Sequence, residues 1–152
     1  MVKGWAAERA ARALHYLPGT DFSLSAGGDL VCRTKLVAAP AWRIGIENPH
    51  DPQRVVAVVR VRVGGVATSG PAHRGAHIVD ARTGRAPSEV ASITVIGPDL
   101  VSADIDATTA FALGSGALTW LRGRADRSGL VVWADGTCDS FGPSPARSPL
   151  RL

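Results

Sequence analysis

The sequence predicts an α+β fold, a mainly antiparallel sheet with flanking helices. Apolar runs of strand type come in pairs joined by short glycine-containing turns, as antiparallel hairpins require. Stretches with helical periodicity occur at three places. The chain has 152 residues, 45% of them hydrophobic and 20% charged, which suits one domain with a packed core.

The first element is a helix over residues 4–17, about four turns long. It sets Ala6, Ala10, Leu14 and Leu17 on one stripe, with Glu8, Arg9 and Arg12 largely on the other side. Pro18-Gly19 ends it. Phe22–Leu24 is a short strand leading into the turn Ala26-Gly27-Gly28-Asp29, and Leu30–Leu36 is the second strand. Trp42–Ile46 is a third, closed by Asn48-Pro49 and Asp51-Pro52. Val55–Val63 is the clearest strand, with Arg60 and Arg62 on one face. Gly64-Gly65 is expected to be a tight hairpin turn, from which Val66–Ser69 returns.

Ser92–Ile96 is a further strand, ended by Gly97-Pro98. Ala103–Leu113 is an alanine- and threonine-rich helix broken by Gly114–Gly116, and Ala117–Arg122 is a shorter one. Leu130–Ala134 is the last strand, followed by the turn Asp135-Gly136. These elements make one domain over residues 1–140. Residues 141–152, rich in Pro, Ser and Arg, are expected to form a disordered tail.

Composition narrows the function classes. The net charge of +4 comes almost wholly from arginine, Lys3 and Lys35 being the only lysines. The arginines are scattered, without the dense runs of a nucleic-acid arm, so no nucleic-acid partner is expected. No apolar run approaches the roughly 20 residues that span a bilayer. The N-terminal stretch has charges inside its apolar pattern and no small-residue cleavage site, so no membrane segment and a cytoplasmic location are expected. Cys32 and Cys138 stand alone, as free thiols would.

Four segments can carry chemistry. AGGD, residues 26–29, combines glycines that allow close backbone approach with an acid; by itself a strand-to-strand turn explains it more often than a ligand loop. VATSG, residues 66–70, sets hydroxyls before a glycine, where backbone N–H groups can meet an anion or simply form a capped turn. HIVDARTG, residues 77–84, puts His77 beside a turn that Asp80 can cap and Gly84 can close, with Arg82 suited to phosphate geometry. Histidine serves as base or donor near neutral pH, although a lone one is often structural, and His50 and His73 sit in similar polar loops. SADIDATT, residues 102–109, places Asp104 and Thr108 one helical turn apart. A carboxylate and a hydroxyl so stacked can hold Mg²⁺, while acids near a helix start also answer the macrodipole. Asp106 points elsewhere.

Their order and spacing resemble the ApbE family of FAD:protein FMN transferases. The motifs are VKGWAAERA (2–10), AGGD (26–29), WRIGIENPHDP (42–52), GGVATSG (64–70), HIVDARTG (77–84), SITVIGPDLVSADIDATTAFALG (92–114) and VVWADGT (131–137). The likeness is to a short-loop form, with Pro71–Ala76 joining TSG to the histidine motif. It implies an ApbE-like fold and a Mg²⁺-dependent enzyme that transfers FMN from FAD to a threonine hydroxyl of a target flavoprotein, releasing AMP. It implies that Asp104 and Thr108 hold the metal and that His77 lies at the FAD phosphates as the catalytic candidate. It implies that Lys3, Glu8, Asp29, Thr68, Ser69 and Gly70 help bind FAD. The general base stays open between a metal-activated threonine and an acid or histidine.

The resemblance also implies a long segment before the KG motif, which supplies part of the isoalloxazine pocket and a carbonyl ligand to the metal. This sequence opens Met1-Val2-Lys3-Gly4, so it is expected to be the C-terminal portion of such an enzyme. The alternative is a non-catalytic remnant, a nucleotide-binding module needing that segment or a partner chain. Apolar surface left uncovered would favour a homo-oligomer. Ala81 stands where the family often has proline, which loosens the turn and removes no chemistry.

Overall fold

The computed structural model describes residues 2–72 and 75–143. His73 and residues 144–152, most of the expected tail, lie outside the described residues.

The elements run α1 (Val2–His15), β1 (Phe22–Ala26), β2 (Asp29–Arg33), β3 (Trp42–Asn48), β4 (Asp51–Val61), β5 (Val63–Ser69), β6 (Val90–Gly97), α2 (Leu100–Ala112), α3 (Ala117–Arg122), β7 (Ser128–Trp133) and β8 (Cys138–Phe141). Six strands form one sheet in the order β1-β2-β5-β6-β7-β8, antiparallel throughout. Among the described residues β3 and β4 pair only with each other. The α+β expectation therefore holds, with the strands dealt into two sheets.

Strand alternation builds three layers. Side chains one residue apart on a strand face opposite ways. Val31, Ala67, Ile93, Val95 and Val131 join Ala7, Ala11, Leu100, Ala103 and Ala107 in the larger core between sheet and helices. Cys32, Val66, Leu130 and Val132 join Ile44, Ile46, Val59 and Val61 in a second core under the β3–β4 hairpin. The sheet is thus covered on both faces.

Several boundaries differ from the sequence reading. The buried stripe of α1 is Gly4, Ala7 and Ala11, with Leu14 beside it, while Ala6, Ala10 and Leu17 are exposed. Alanine carries little hydrophobic contrast, so what decides the stripe is the fit against α2. Gly64 and Gly65 are not a turn: they lie inside β5, and β4 and β5 belong to different sheets. They are glycines because neighbouring backbone comes close. A Cβ on Gly64 would stand 2.3 Å from the Gly97 carbonyl oxygen, and one on Gly65 2.3 Å from Leu100 Cα. β4 ends at Val61, and Arg62 instead ties down the preceding loop by donating to the carbonyls of Leu36, Val37 and Ala39. α2 begins at Leu100 rather than Ala103, because Asp99 caps it by accepting from Ser102 N. Phe141 is not part of a tail: it ends β8 and is 3% exposed.

Candidate functional site

A cleft of about 1130 Å³ opens between the hairpin face of the sheet, the start of α1, the C-terminal half of α2 and the loop 77–82. Lys3, Thr68, Ser69, Gly70, His77, Asp104 and Thr108 all line it. These come from three stretches far apart in sequence, and the fold brings them to one place. Its apolar wall comes from β3, through Trp42, Ile44 and Ile46.

Lys3, in the first turn of α1, reaches the β1–β2 turn. Its ammonium donates to the Gly27 carbonyl at 2.8 Å and pairs with Asp29 Oδ2 at 2.8 Å. Gly27 and Gly28 take positive φ, which makes this turn possible. Asp29 is almost wholly buried and lies beneath the cleft rather than on its lining. Its Oδ1 accepts from Thr68 N at 3.3 Å. Burial pushes its carboxyl above the ordinary value, and Lys3 opposes that rise. Asp29 therefore anchors Lys3 and the TSG strand end together.

The hydroxyls form two pairs, one on each side of β5. Thr68 Oγ1 meets Thr94 Oγ1 at 2.9 Å across the β5–β6 register, and Ser69 Oγ meets Thr108 Oγ1 at 3.2 Å. Thr68 and Ser69 face opposite sides of β5, so one turn motif touches both the sheet floor and α2. Gly70 is needed for closeness, since a Cβ there would stand 2.8 Å from the Ala91 carbonyl oxygen.

Asp104 lies on α2 facing α1, 6% exposed, and its Oδ2 accepts from Gly4 N at 3.1 Å. Thr108 is one turn on. Among the described residues no group of three His, Cys, Asp or Glu side chains could hold a metal. The donor set is one carboxylate with the neighbouring hydroxyls of Thr108 and Ser69. All are hard oxygens, which fits Mg²⁺, an ion that keeps waters and shares its shell with substrate phosphates. It does not fit zinc, which seeks imidazole and thiolate.

The 77–84 segment is a closed turn, as the sequence suggests. Asp80 N donates to the Arg85 carbonyl at 2.9 Å, and Gly84 N, at positive φ, donates to the Asp80 carbonyl at 2.7 Å. Arg82 bonds Asp80 through its backbone and guanidinium, which holds that carboxyl below the usual range. His77 is exposed at the cleft edge, with Nδ1 2.9 Å from the Gly75 carbonyl oxygen. A carbonyl only accepts, so Nδ1–H is the donor in this contact.

Two acidic positions lie elsewhere. Glu8 does not line the cleft: its Oε2 accepts from Leu100 N at 2.8 Å, at the start of α2. Asp106 is buried on another face of α2, bonded by Arg124 at 2.9 Å and Arg127 at 2.6 Å. The sequence reading missed the β3 wall and the floor residue Thr94. The hydroxyl alternation of Ser92 and Thr94 was its available signal.

The structure is similar to solved proteins over nearly its whole length. An ApbE protein from Thermotoga maritima superposes with a TM-score of 0.78 at 27% identity, covering 91% of this chain and 48% of that one. The flavin transferase ApbE from Vibrio cholerae gives 0.73 at 24% identity, with 93% and 48% covered, a likeness of fold. The family model for the ApbE family matches residues 1–131. Curated FAD:protein FMN transferases are similar in sequence. That of Salmonella typhimurium is 32% identical over 124 residues and that of Escherichia coli 33% over 123, each match covering 74% of this chain. The chain spans 35% of the length of those two relatives.

Proposed function

The chain belongs to the ApbE family, and from that premise we propose that it carries out Mg²⁺-dependent transfer of FMN from FAD to a threonine hydroxyl of a target flavoprotein. The observation that carries this reading is the convergence of Lys3, Ser69, Asp104 and Thr108 on one cleft with an apolar wall. One end suits a pyrophosphate and a hard cation; the wall suits a flat ring system.

In the transfer, the threonine oxygen bonds to the phosphorus that bears FMN. The bond from that phosphorus to the bridging oxygen breaks, and AMP leaves with the electron pair. The threonine proton passes to a base. Mg²⁺ would neutralise the charge of the adjoining phosphates. Asp104 and Thr108 would hold it, and Ser69, bonded to Thr108, would fix that hydroxyl's direction. Lys3 would contact FAD from the α1 start, with Asp29 holding its ammonium in place. Thr68 and Gly70 shape the floor. We place His77 at the phosphates as the catalytic residue. Glu8 is withdrawn from the FAD contacts, since it is bound to α2. Among the described residues no helix is long and apolar enough to cross a membrane.

The test is incubation of the full gene product with FAD, Mg²⁺ and a target flavoprotein domain, reading covalent flavin fluorescence on the denatured target and AMP in solution. One AMP per flavin attached is expected, and chelation of the metal should stop both. FAD binding with no covalent flavin would instead make the protein a binding module.

A further inference from the structure

α1 and α2 run antiparallel and are joined by two polar contacts, each one turn from the other. Gly4 N donates to Asp104 Oδ2 at 3.1 Å, and four residues along α1 Glu8 Oε2 accepts from Leu100 N at 2.8 Å, four residues back along α2. Between them lie Ala7 and Ala103, both buried. The small side chains let the helices approach closely, so the two contacts fix how far one helix is displaced along the other.

We infer that Glu8 is a positioning residue for Asp104, acting through the N-terminus of α2 and not on the flavin substrate. The first amides of a helix have no acceptor within it. Asp99 accepts from Ser102 N at 2.8 Å through its side chain and from Ala103 N at 3.2 Å through its carbonyl. The Leu100 amide is taken by Glu8. Leu100 itself is 0% exposed and sits against Gly65, so water is poorly placed to replace the carboxylate. A group that orients a ligand-bearing helix at a buried amide does for Asp104 what outer partners do for metal ligands in general. The chain position of Glu8, one turn from Gly4, makes α1 the reference for both Lys3 and Asp104, which therefore keep their spacing across the cleft.

The inference rests on the proposed metal role of Asp104, and its test separates the two. In the full gene product with FAD present and no target, Mn²⁺ binding is followed by electron paramagnetic resonance for wild type, E8A, E8D and E8Q. E8A should weaken Mn²⁺ about tenfold or more, with KM for FAD in the transfer assay changed less than about threefold. E8Q, which keeps an acceptor oxygen, should restore most of the affinity, and E8D should fall between. The Leu100 amide should exchange with deuterium at least about tenfold faster in E8A than in wild type. A rise in KM for FAD with Mn²⁺ affinity unchanged would make Glu8 a substrate contact and overturn the inference. So would unaltered exchange at Leu100. If E8A does not fold, E8D decides by the same readings. Wild type that binds no Mn²⁺ would overturn the metal reading itself, a result distinct from any contrast among the Glu8 variants.

Discussion

The amide of Gly4 donates to the carboxylate of Asp104 at 3.1 Å, joining residues 100 positions apart. A Cβ built on Gly4 would stand 2.6 Å from Asp104 Oδ2 and 2.8 Å from Asp104 Cβ. Glycine is there because the helices touch.

Gly4→Ala is therefore expected to destabilise the protein despite alanine's better helix propensity. That propensity is worth about 1 kcal/mol, while forcing an atom into a packed contact costs roughly 1–3 kcal/mol. A net loss of about 1 kcal/mol should appear as a lower urea midpoint with an unchanged slope. Metal dependence should weaken as well, because the displaced group is Asp104. A variant as stable as wild type would mean that α1 is free to shift.

The same contact bears on Asp104. Asp104→Ala removes both the proposed ligand and the acceptor for a buried amide, so it should cost about 1–3 kcal/mol of stability as well as activity. Asp104→Asn keeps an acceptor oxygen and loses the charge. It should retain the wild-type unfolding free energy within about 1 kcal/mol and abolish Mg²⁺-dependent transfer. Transfer at the wild-type rate in Asp104→Asn would rule out Asp104 as the metal ligand.

Asp106, two residues away, should behave in the opposite way. It is 1% exposed and bonded by two arginines. Breaking a buried pair costs about 3–5 kcal/mol. The Arg124 side chain is 45% exposed and can rehydrate, which points to the lower end, about 3 kcal/mol. Asp106→Ala should lower the unfolding midpoint strongly while the folded fraction keeps its Mg²⁺ concentration dependence. A changed metal dependence at wild-type stability would reverse the assignment of these two acids.

The contrast between Asp104 and Asp106 was legible in the sequence, because a spacing of four residues puts Asp104 and Thr108 on one face and excludes Asp106. The closed turn at Asp80–Gly84 was legible too, since aspartate and glycine at that spacing have specific backbone consequences. Gly64-Gly65 misled, because a glycine pair serves a tight turn and a close backbone approach equally well. Only the position of α2 shows which applies. The stripe of α1 was displaced by one residue because neighbouring alanines differ in nothing but what they meet. β8 was missed because Cys138–Phe141 is short and polar on its outer side, and its strand character comes from pairing with β7. Glu8 could be placed near the site from its motif, but its actual partner is a backbone amide, which no side-chain pattern announces.

Asp29 gives a prediction in pH. Burial raises its pKa above the ordinary 3.8, and Lys3 only partly opposes this. The folded state then holds this proton more tightly than the unfolded chain does. Its favourable contribution is fully present below pH 3.8, and it is lost as pH rises from there through the raised folded value. Above the raised folded value the ionised, buried carboxylate favours folding less than the protonated form does. Asp29→Asn keeps an acceptor for Thr68 N and does not titrate. The stability of wild type relative to Asp29→Asn should therefore fall as pH is raised above 3.8, then level off. Urea unfolding of both proteins at stepped pH reads this directly. Lys3→Met removes the main opposing influence, so in that background the fall should extend to higher pH. A wild type that gains on Asp29→Asn with rising pH would mean that the Lys3 ion pair outweighs burial, and that Lys3 and Asp29 hold each other in place chiefly by charge.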